Sequence, residues 1–447
     1  MEFLQYPLAL IVTLGVLITF HEFGHFIVAR WSGVRILRFS IGFGRPLFSR
    51  VDRHGTEFAI ALIPLGGYVR MLGENEPGEV VPAVAPKKDD VSLEQVSVWW
   101  RLAISAAGPA ANFILAILVY WLLFVVGSTS YTPVLGEVPV DSPLAASGLS
   151  ANLELVAVDD KPVSNWQQVN TALASRLGDS GAIKLETRIP GSTGSHTWQV
   201  PINIWHQGEA DPDLFGSLGV VPRVPAIAGE ILPDGPAALD GELQQWDLIT
   251  AVNGEPVADW FDWVEQVQAA PDQELRLDII RDGRPQQIRL TPGSKQTADD
   301  ERIGFVGVAA MYNEVAFGPI AAISRSLEET WDKTALTLGF IRKMILGQVS
   351  VKNLSSPIMI AKVASDSARA SWQLYLGLMA LLSISLGVLN LLPIPILDGG
   401  HIVYGLTEVV RGKPVSQRTQ IIGAQIGLVV VTGMVLLAVY NDIMRLL

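Results

Sequence analysis

Between Phe3 and Ala29 the chain carries one charged residue, Glu22, and that residue sits inside the string His21-Glu22-Phe23-Gly24-His25. A run this long and this apolar reads as a membrane-spanning helix, for which about 20 residues suffice. On a helix, residues four apart share a face, so His21 and His25 can converge on one divalent ion. Glu22, about 100° round the axis, then reaches a water beside that ion. This is the histidine pair and general base of a zinc hydrolase. The apolar setting argues against two polar satellites on a surface helix, because polar groups in hydrocarbon cost kilocalories unless they face an ion, a partner or a water-filled cavity.

Three further stretches have spanning length: Leu102 to Val126, Trp372 to Leu397, and Ile421 to Tyr440. The chain therefore reads as a polytopic α-helical membrane protein with four transmembrane helices. No Lys or Arg precedes the first apolar run and no small-residue cleavage site follows it, so a retained first span is expected rather than a removed signal peptide. Short-loop charge sets the orientation. Basic residues crowd the loop from Arg30 to Arg101, and Arg411, Lys413 and Arg418 lie between spans three and four, which places these loops in the cytoplasm. Both termini and the long region between spans two and three then lie on the periplasmic side. That region, Ser130 to Asn313, is strongly acidic and accounts for the net charge of −12, which argues against nucleic acid as a partner. Cysteine is absent, so disulfide and thiolate chemistry are excluded. A divalent-ion transporter would want acidic residues in several spans, and spans two and four have none.

In chain order, segment 1–30 is the first span and 31–100 a cytoplasmic loop. Within it, Val34 to Phe48 with Gly42-Phe43-Gly44-Arg45-Pro46 reads as a membrane-hugging loop. Thr56 to Leu72 reads as a membrane-associated β-hairpin turning at Pro64-Leu65-Gly66-Gly67, next to Tyr68. Its apolar edge could hold an extended peptide by strand addition, a role that equally fits a purely structural hairpin. Glu74 to Gln95 is a Pro-rich, charged linker. Span two (101–127) opens with Ser105 to Asn112, whose small residues admit a close neighbour helix; Asn112 wants a polar partner and reads as structural. The central region repeats itself: Gly136-Glu137-Val138, Ser142-Pro143-Leu144-Ala145-Ala146 and Leu153 to Trp166 return as Gly229-Glu230-Ile231, Gly235-Pro236-Ala237-Ala238-Leu239 and Trp246 to Trp260. The order resembles circularly permuted PDZ domains, giving two inserted periplasmic PDZ-like α/β domains at 128–222 and 223–312. Asp159-Asp160 replaces the Asn253-Gly254 turn in the first copy, which counts against peptide binding there. Amphipathic interfacial helices are expected over 313–371, span three over 372–397, a cytoplasmic loop over 398–420, and span four over 421–440.

Two histidines leave a catalytic zinc one protein ligand short. The better candidate for the third is Asp398, in Asn390-Leu391-Leu392-Pro393-Ile394-Pro395-Ile396-Leu397-Asp398-Gly399-Gly400-His401. There Pro393 and Pro395 break the third span and the glycines allow a tight turn around the carboxylate. Taken together, the pentapeptide in span one, Ala106-Ala107-Gly108-Pro109-Ala110-Ala111-Asn112 in span two, the Asn390 to His401 stretch and the inserted tandem resemble the site-2 protease family of intramembrane zinc metalloproteases. The resemblance covers essentially the whole chain. It implies His21, His25 and Asp398 as ligands of Zn2+ and Glu22 as general base. Asn390, Pro393 and Pro395 fall on motif positions near the substrate, and His401 is not a ligand. It further implies single-span membrane protein substrates already trimmed in the periplasm, of the anti-sigma factor type, and remnant signal peptides. Asn353 to Pro357 departs from the family's usual Gly before Pro.

Overall fold

A computed structural model describes residues 2–74, 87, 89–190, 192, 194–296 and 302–446. Most of the Glu74 to Gln95 linker lies outside the described residues. The chain divides into two compact units, Met1–Gly127 with Ala316–Leu346 and Ser350–Leu447, and Ser128–Val315 with Gly347–Val349.

In the first unit the helices are α1 (Glu2–Trp31), α2 (Val98–Val126), α3 (Pro319–Ile345), α4 (Pro357–Ala370), α5 (Trp372–Asn390), α6 (Asp398–Arg411) and α7 (Gln417–Leu446). Among the described residues α1, α2, α5 and α7 are long and apolar enough to cross a membrane. A core shared by α1, α2 and α5 joins Leu17 of α1 to Leu115, Ala116, Val119 and Leu123 of α2 and to Ala380, Ile384 and Val388 of α5. Lipid is as apolar as leucine, so such helices are held together by close packing rather than by the hydrophobic effect, and small residues set how near they come. Gly24 of α1 meets the Ala107 backbone and Ala111, and Gly387 of α5 comes against the Pro109 carbonyl and Asn112, where an added Cβ would lie 3.3 and 3.4 Å away.

Three expectations for this unit are corrected. Span three stops at Asn390 rather than at 397, because Pro393 and Pro395 bias the residue before each of them away from helix and cannot donate to the ladder. The supposed loop 398–420 is mostly α6, which Gly412 ends in the left-handed region at φ 65. Span four is longer than 421–440, running over α7. In the 313–371 segment, α3 turns Ala322, Ser326 and Thr330 into buried positions, packs along α2 through a Trp121 Nε1–H bond to the Pro319 carbonyl (2.9 Å), and brings Ile341 against the shared core. At the far end Asp442 of α7, fully buried, accepts from Ser356 N (2.8 Å), Ser356 Oγ (2.6 Å) and Met359 N (3.0 Å), and so caps α4.

The hairpin is also placed differently. Val34 to Phe48 is not a loop: β1 (Ile36–Val51) pairs with β2 (Glu57–Met71), and the turn falls at 52–55 instead of at Pro64 to Gly67. Asp52 makes that turn, its Oδ1 accepting from His54 N and Thr56 N at 2.9 Å each, with Gly55 at φ 79. The glycine-rich stretches bend the two strands instead of reversing them: Gly42 and Gly44 take φ 92 and 88. As the ribbon folds over itself, Phe39 to Ile41 gain partners on both sides, Gly67 to Val69 and Phe58 to Ile60. Arg30 at the end of α1 clamps the turn through Asp52 (2.7 Å), and Arg38 pairs with buried Glu57 (2.7 Å).

In the second unit, elements recur at the spacing of the sequence similarity. Helix Pro143–Ala146, strand Glu154–Val158, helix Trp166–Ala174 and strand Gly181–Arg188 correspond to Pro236–Asp240, Leu248–Val252, Trp260–Gln268 and Leu275–Arg281. Each set closes its own core, around Leu155, Ile183 and Leu185 in one and Ile249, Leu277 and Ile279 in the other. The Asp159-Asp160 substitution leaves the turn geometry intact. Asp159 and Asn253 both have positive φ (48 and 51), and each side chain accepts from the facing strand, Lys184 N at 3.0 Å and Arg276 N at 2.9 Å. The two ends of the unit's long segment are paired with one another, Ser128–Ser130 running antiparallel to Asn313–Val315.

Two outcomes are expected from this packing. Asp247 is fully buried and held by Arg281 at 2.7 and 2.6 Å. Arg281→Ala takes away that carboxylate's charge partner and leaves it the Gln244 amide (2.7 Å), at a cost of about 3–5 kcal/mol, measurable as a lower denaturant midpoint and faster hydrogen exchange in Leu248–Val252. Burial alone would raise the Asp52 carboxyl, but Arg30 and the Thr56 and His54 amides outweigh it and hold it below the usual carboxylate range. The clamp is therefore complete above about pH 4 and is lost as pH falls through the depressed value. Exchange at the turn amides, corrected for its intrinsic rate, should accelerate in acid in the parent and be independent of this pH window in Asp52→Asn.

Candidate metal centre

His21 and His25, one turn apart on α1, bring their Nε2 atoms to 3.3 Å from each other. Asp398, the first residue of α6, points one carboxylate oxygen at each ring: Oδ2 lies 3.2 Å from His21 Nε2 and Oδ1 3.4 Å from His25 Nε2. Ligands bound tetrahedrally at about 2.0–2.1 Å stand roughly 3.3–3.4 Å apart, close to the separation of the two ring nitrogens and of each ring nitrogen from its nearer carboxylate oxygen. Asp398 Oδ2 is buried with no hydrogen-bond partner. A cation would satisfy it, so the donor set fits a zinc ion in spacing, chemistry and unmet demand. The N-terminal position on α6 adds the positive end of the helix dipole beside the carboxylate.

Backbone approach makes this convergence possible. Gly108 of α2 lies against both imidazoles, and a Cβ there would collide with the His25 ring and come within 2.8 Å of His21 Cε1. Gly399 and Gly400 pass so close to the backbone of Leu391 to Pro395 that neither admits a side chain, which lets α6 start directly beneath the end of α5. The Ile104 carbonyl accepts from His25 Nδ1 at 2.7 Å, which leaves Nε2 with a free lone pair. Asn112, fully buried, sets its amide 3.1 Å from His21 Nδ1. Sequence reasoning named Asn112 as a polar group in need of a partner but missed Gly24, Gly108 and the Ile104 carbonyl.

The remaining candidate residues fall into two groups. Glu22 is half-buried beside the hairpin: a Cβ at Gly67 would sit 3.1 Å from Glu22 Cγ, 3.0 Å from Ile18 and 2.9 Å from the Ser40 carbonyl. Gly66 lies against the Phe43 ring, which stacks on Tyr68 with centroids 6.3 Å apart, and the Tyr68 hydroxyl accepts from Arg38 Nη1 at 3.3 Å. Pro64 belongs to β2, in the bent part of the strand. Asn390 closes α5, while Pro393 and Pro395 shape the connection 391–397, with Pro395 packed on Gly423 of α7. His401 is exposed on α6 beside Tyr404, with ring centroids 6.4 Å apart, and is not among the three donors.

Comparison with known proteins agrees with this chemistry. A family model described as "Peptidase family M50" matches residues 9–434. "Protease RseP" of Yersinia pestis is 40% identical over 449 residues, spanning 98% of each chain. "Regulator of sigma-E protease RseP" of Escherichia coli (strain K12) is 40% identical over 457 residues and 100% of each chain. A Vibrio cholerae protein whose name describes a zinc metalloprotease is 34% identical over 450 residues and 98% of each chain. On a donor set that fits zinc and a family match over nearly its whole length, the chain belongs to peptidase family M50 and is a zinc metalloprotease.

Proposed function

We propose that this protease cuts within the transmembrane segments of single-span proteins of the bacterial inner membrane after they have been trimmed in the periplasm. An anti-sigma factor would be its signalling substrate, and remnant signal peptides a second class. The observation that carries this reading is depth: His21 stands ten residues, about 15 Å of helix rise, from the Trp31 end of an apolar span, so the bond to be cut must come to it inside the membrane. The name "Regulator of sigma-E protease", borne by relatives that match end to end, supports the regulatory role. Basic residues in the loops flanking α1 and α6 support a cytoplasmic hairpin and metal-bearing end, with the inserted unit and both termini periplasmic.

In this reading His21, His25 and Asp398 hold the zinc, which supplies a Lewis acid that acidifies water and polarises a carbonyl. Glu22 takes the proton of the attacking water and passes it to the leaving amine. His25 is kept in register by the Ile104 carbonyl, and Asp398 by the start of α6. A substrate helix shields its own amides, so it must be extended before attack. The Gly67 to Met71 segment of β2 pairs with β1 on one side and has no strand on the other among the described residues, and it runs past Glu22. Strand addition there would hold an extended substrate without reading its sequence. The two recurring bodies of the second unit act as PDZ-like docking or size-filtering modules, a reading that rests on the order of elements they share with such domains.

Purified full-length protein in bilayer discs, given a single-span model substrate, should cleave it within the spanning segment. Glu22→Gln is expected to lower the rate by about 10²–10⁴-fold with zinc content unchanged, whereas His21→Ala and Asp398→Asn lose zinc and a chelator abolishes cleavage. Cleavage that persists in Glu22→Gln or after metal removal refutes the assignment. Gly67→Ala should push the β2 edge off α1 and cost on the order of 10²-fold in rate at full zinc occupancy. A rate within threefold of the parent would separate the hairpin from substrate handling.

A further inference from the structure

Asn112 is the one fully buried polar side chain of α2, and its amide faces the ring nitrogen of His21 that points away from the donor cluster. For His21 Nε2 to offer a lone pair to a cation, the proton of the neutral ring must sit on Nδ1 and needs an acceptor there. His25 meets this requirement with the Ile104 carbonyl. As oriented, the Asn112 amide presents Nδ2 to His21 Nδ1, while its Oδ1 is buried with no partner. Amide nitrogen and oxygen have the same shape, so turning the group over costs no packing and brings an acceptor to Nδ1–H. Either orientation leaves one amide atom in the unpartnered position, so the proton demanded on Nδ1 decides between them. The Ser383 hydroxyl bonds the Asn112 carbonyl at 2.8 Å and fixes that part of α2 against α5.

We infer that Asn112 is a positioning residue, whose amide oxygen accepts from His21 Nδ1 and fixes the tautomer and angle with which His21 meets the metal. The inference rests on His21 being a ligand, as read above. It adds a side chain of α2 to the part its Ile104 carbonyl already plays, in a centre whose donors all come from α1 and α6. Losing such an outer acceptor lowers metal affinity by about 10–100-fold.

The test is zinc affinity of the full-length apoprotein in detergent, measured by competition with a chromogenic chelator and paired with thermal melting of the same apoprotein. Asn112→Leu keeps the volume without an acceptor, Asn112→Ala removes both, and Asn112→Asp keeps an acceptor. Expected are losses of about 10–100-fold for Leu and Ala with the melting temperature of Leu near the parent's, and affinity within about threefold of the parent, or tighter, for Asp. Should the Asp variant fail to fold, the Leu variant against the parent decides. Parent-like affinity in Asn112→Leu, or a loss in it that tracks an equal fall in apoprotein stability, overturns the inference. His21→Ala serves as the separate control: if it binds zinc as the parent does, the reading of the site itself fails, and if only Asn112→Leu is silent, the inference alone fails.

Discussion

Three groups that could hold a metal ion, His21, His25 and Asp398, converge at close range among apolar helices, and the packing of the first unit around them answers the demand this makes. In a hydrocarbon surrounding a stray carboxylate or imidazole is costly, so polar atoms near Asp398 are favoured only where they meet a protein partner, an ion or water admitted to the site. The glycines follow from this. Gly24 lets α2 reach α1, Gly108 lets it lie flat against the two rings, and Gly399 and Gly400 let α6 begin where a longer side chain would keep it away. Energy that a soluble enzyme would draw from hydrophobic burial is here drawn from contact distance.

The parts of this arrangement written in local sequence were readable before any coordinates. His21 and His25 share a helical face whatever surrounds them, and the Pro393 and Pro395 pair marks a break in the third span, though it did not reveal that the helix stops at Asn390. The spacing between corresponding elements of the second unit follows a similarity visible in the chain itself. What local sequence did not reveal was tertiary. Gly42, Gly44, Gly66 and Gly67 carry the composition of turns, yet they serve as bends within long strands because the reversal was already made by Asp52. Asp398-Gly399-Gly400 likewise reads as a loop, and becomes a helix start because its glycines are required by the backbone of Leu391 to Pro395. Gly108 looked like one small residue among many, since only the crossing of α1 and α2 shows which of them faces the rings.

The hairpin and the metal centre share a boundary at Glu22. The side chain that would move the proton leans on a strand that would hold the substrate, so displacement of that strand and displacement of the base are one event. The Arg30 to Asp52 clamp fixes the same hairpin to the end of the same helix. In the proposed reading, substrate grip and proton transfer would both bear on α1.

The pairing of Ser128–Ser130 with Asn313–Val315 has a consequence for how such a protein could arise. Facing residues of an antiparallel pair lie about 5 Å apart, so the second unit leaves and re-enters the chain through neighbouring points. A segment with adjacent ends can be gained, lost or exchanged in a gene without altering the path of the helices on either side. The short two-stranded stem is therefore the kind of junction across which a separate folding body can be set into a host chain.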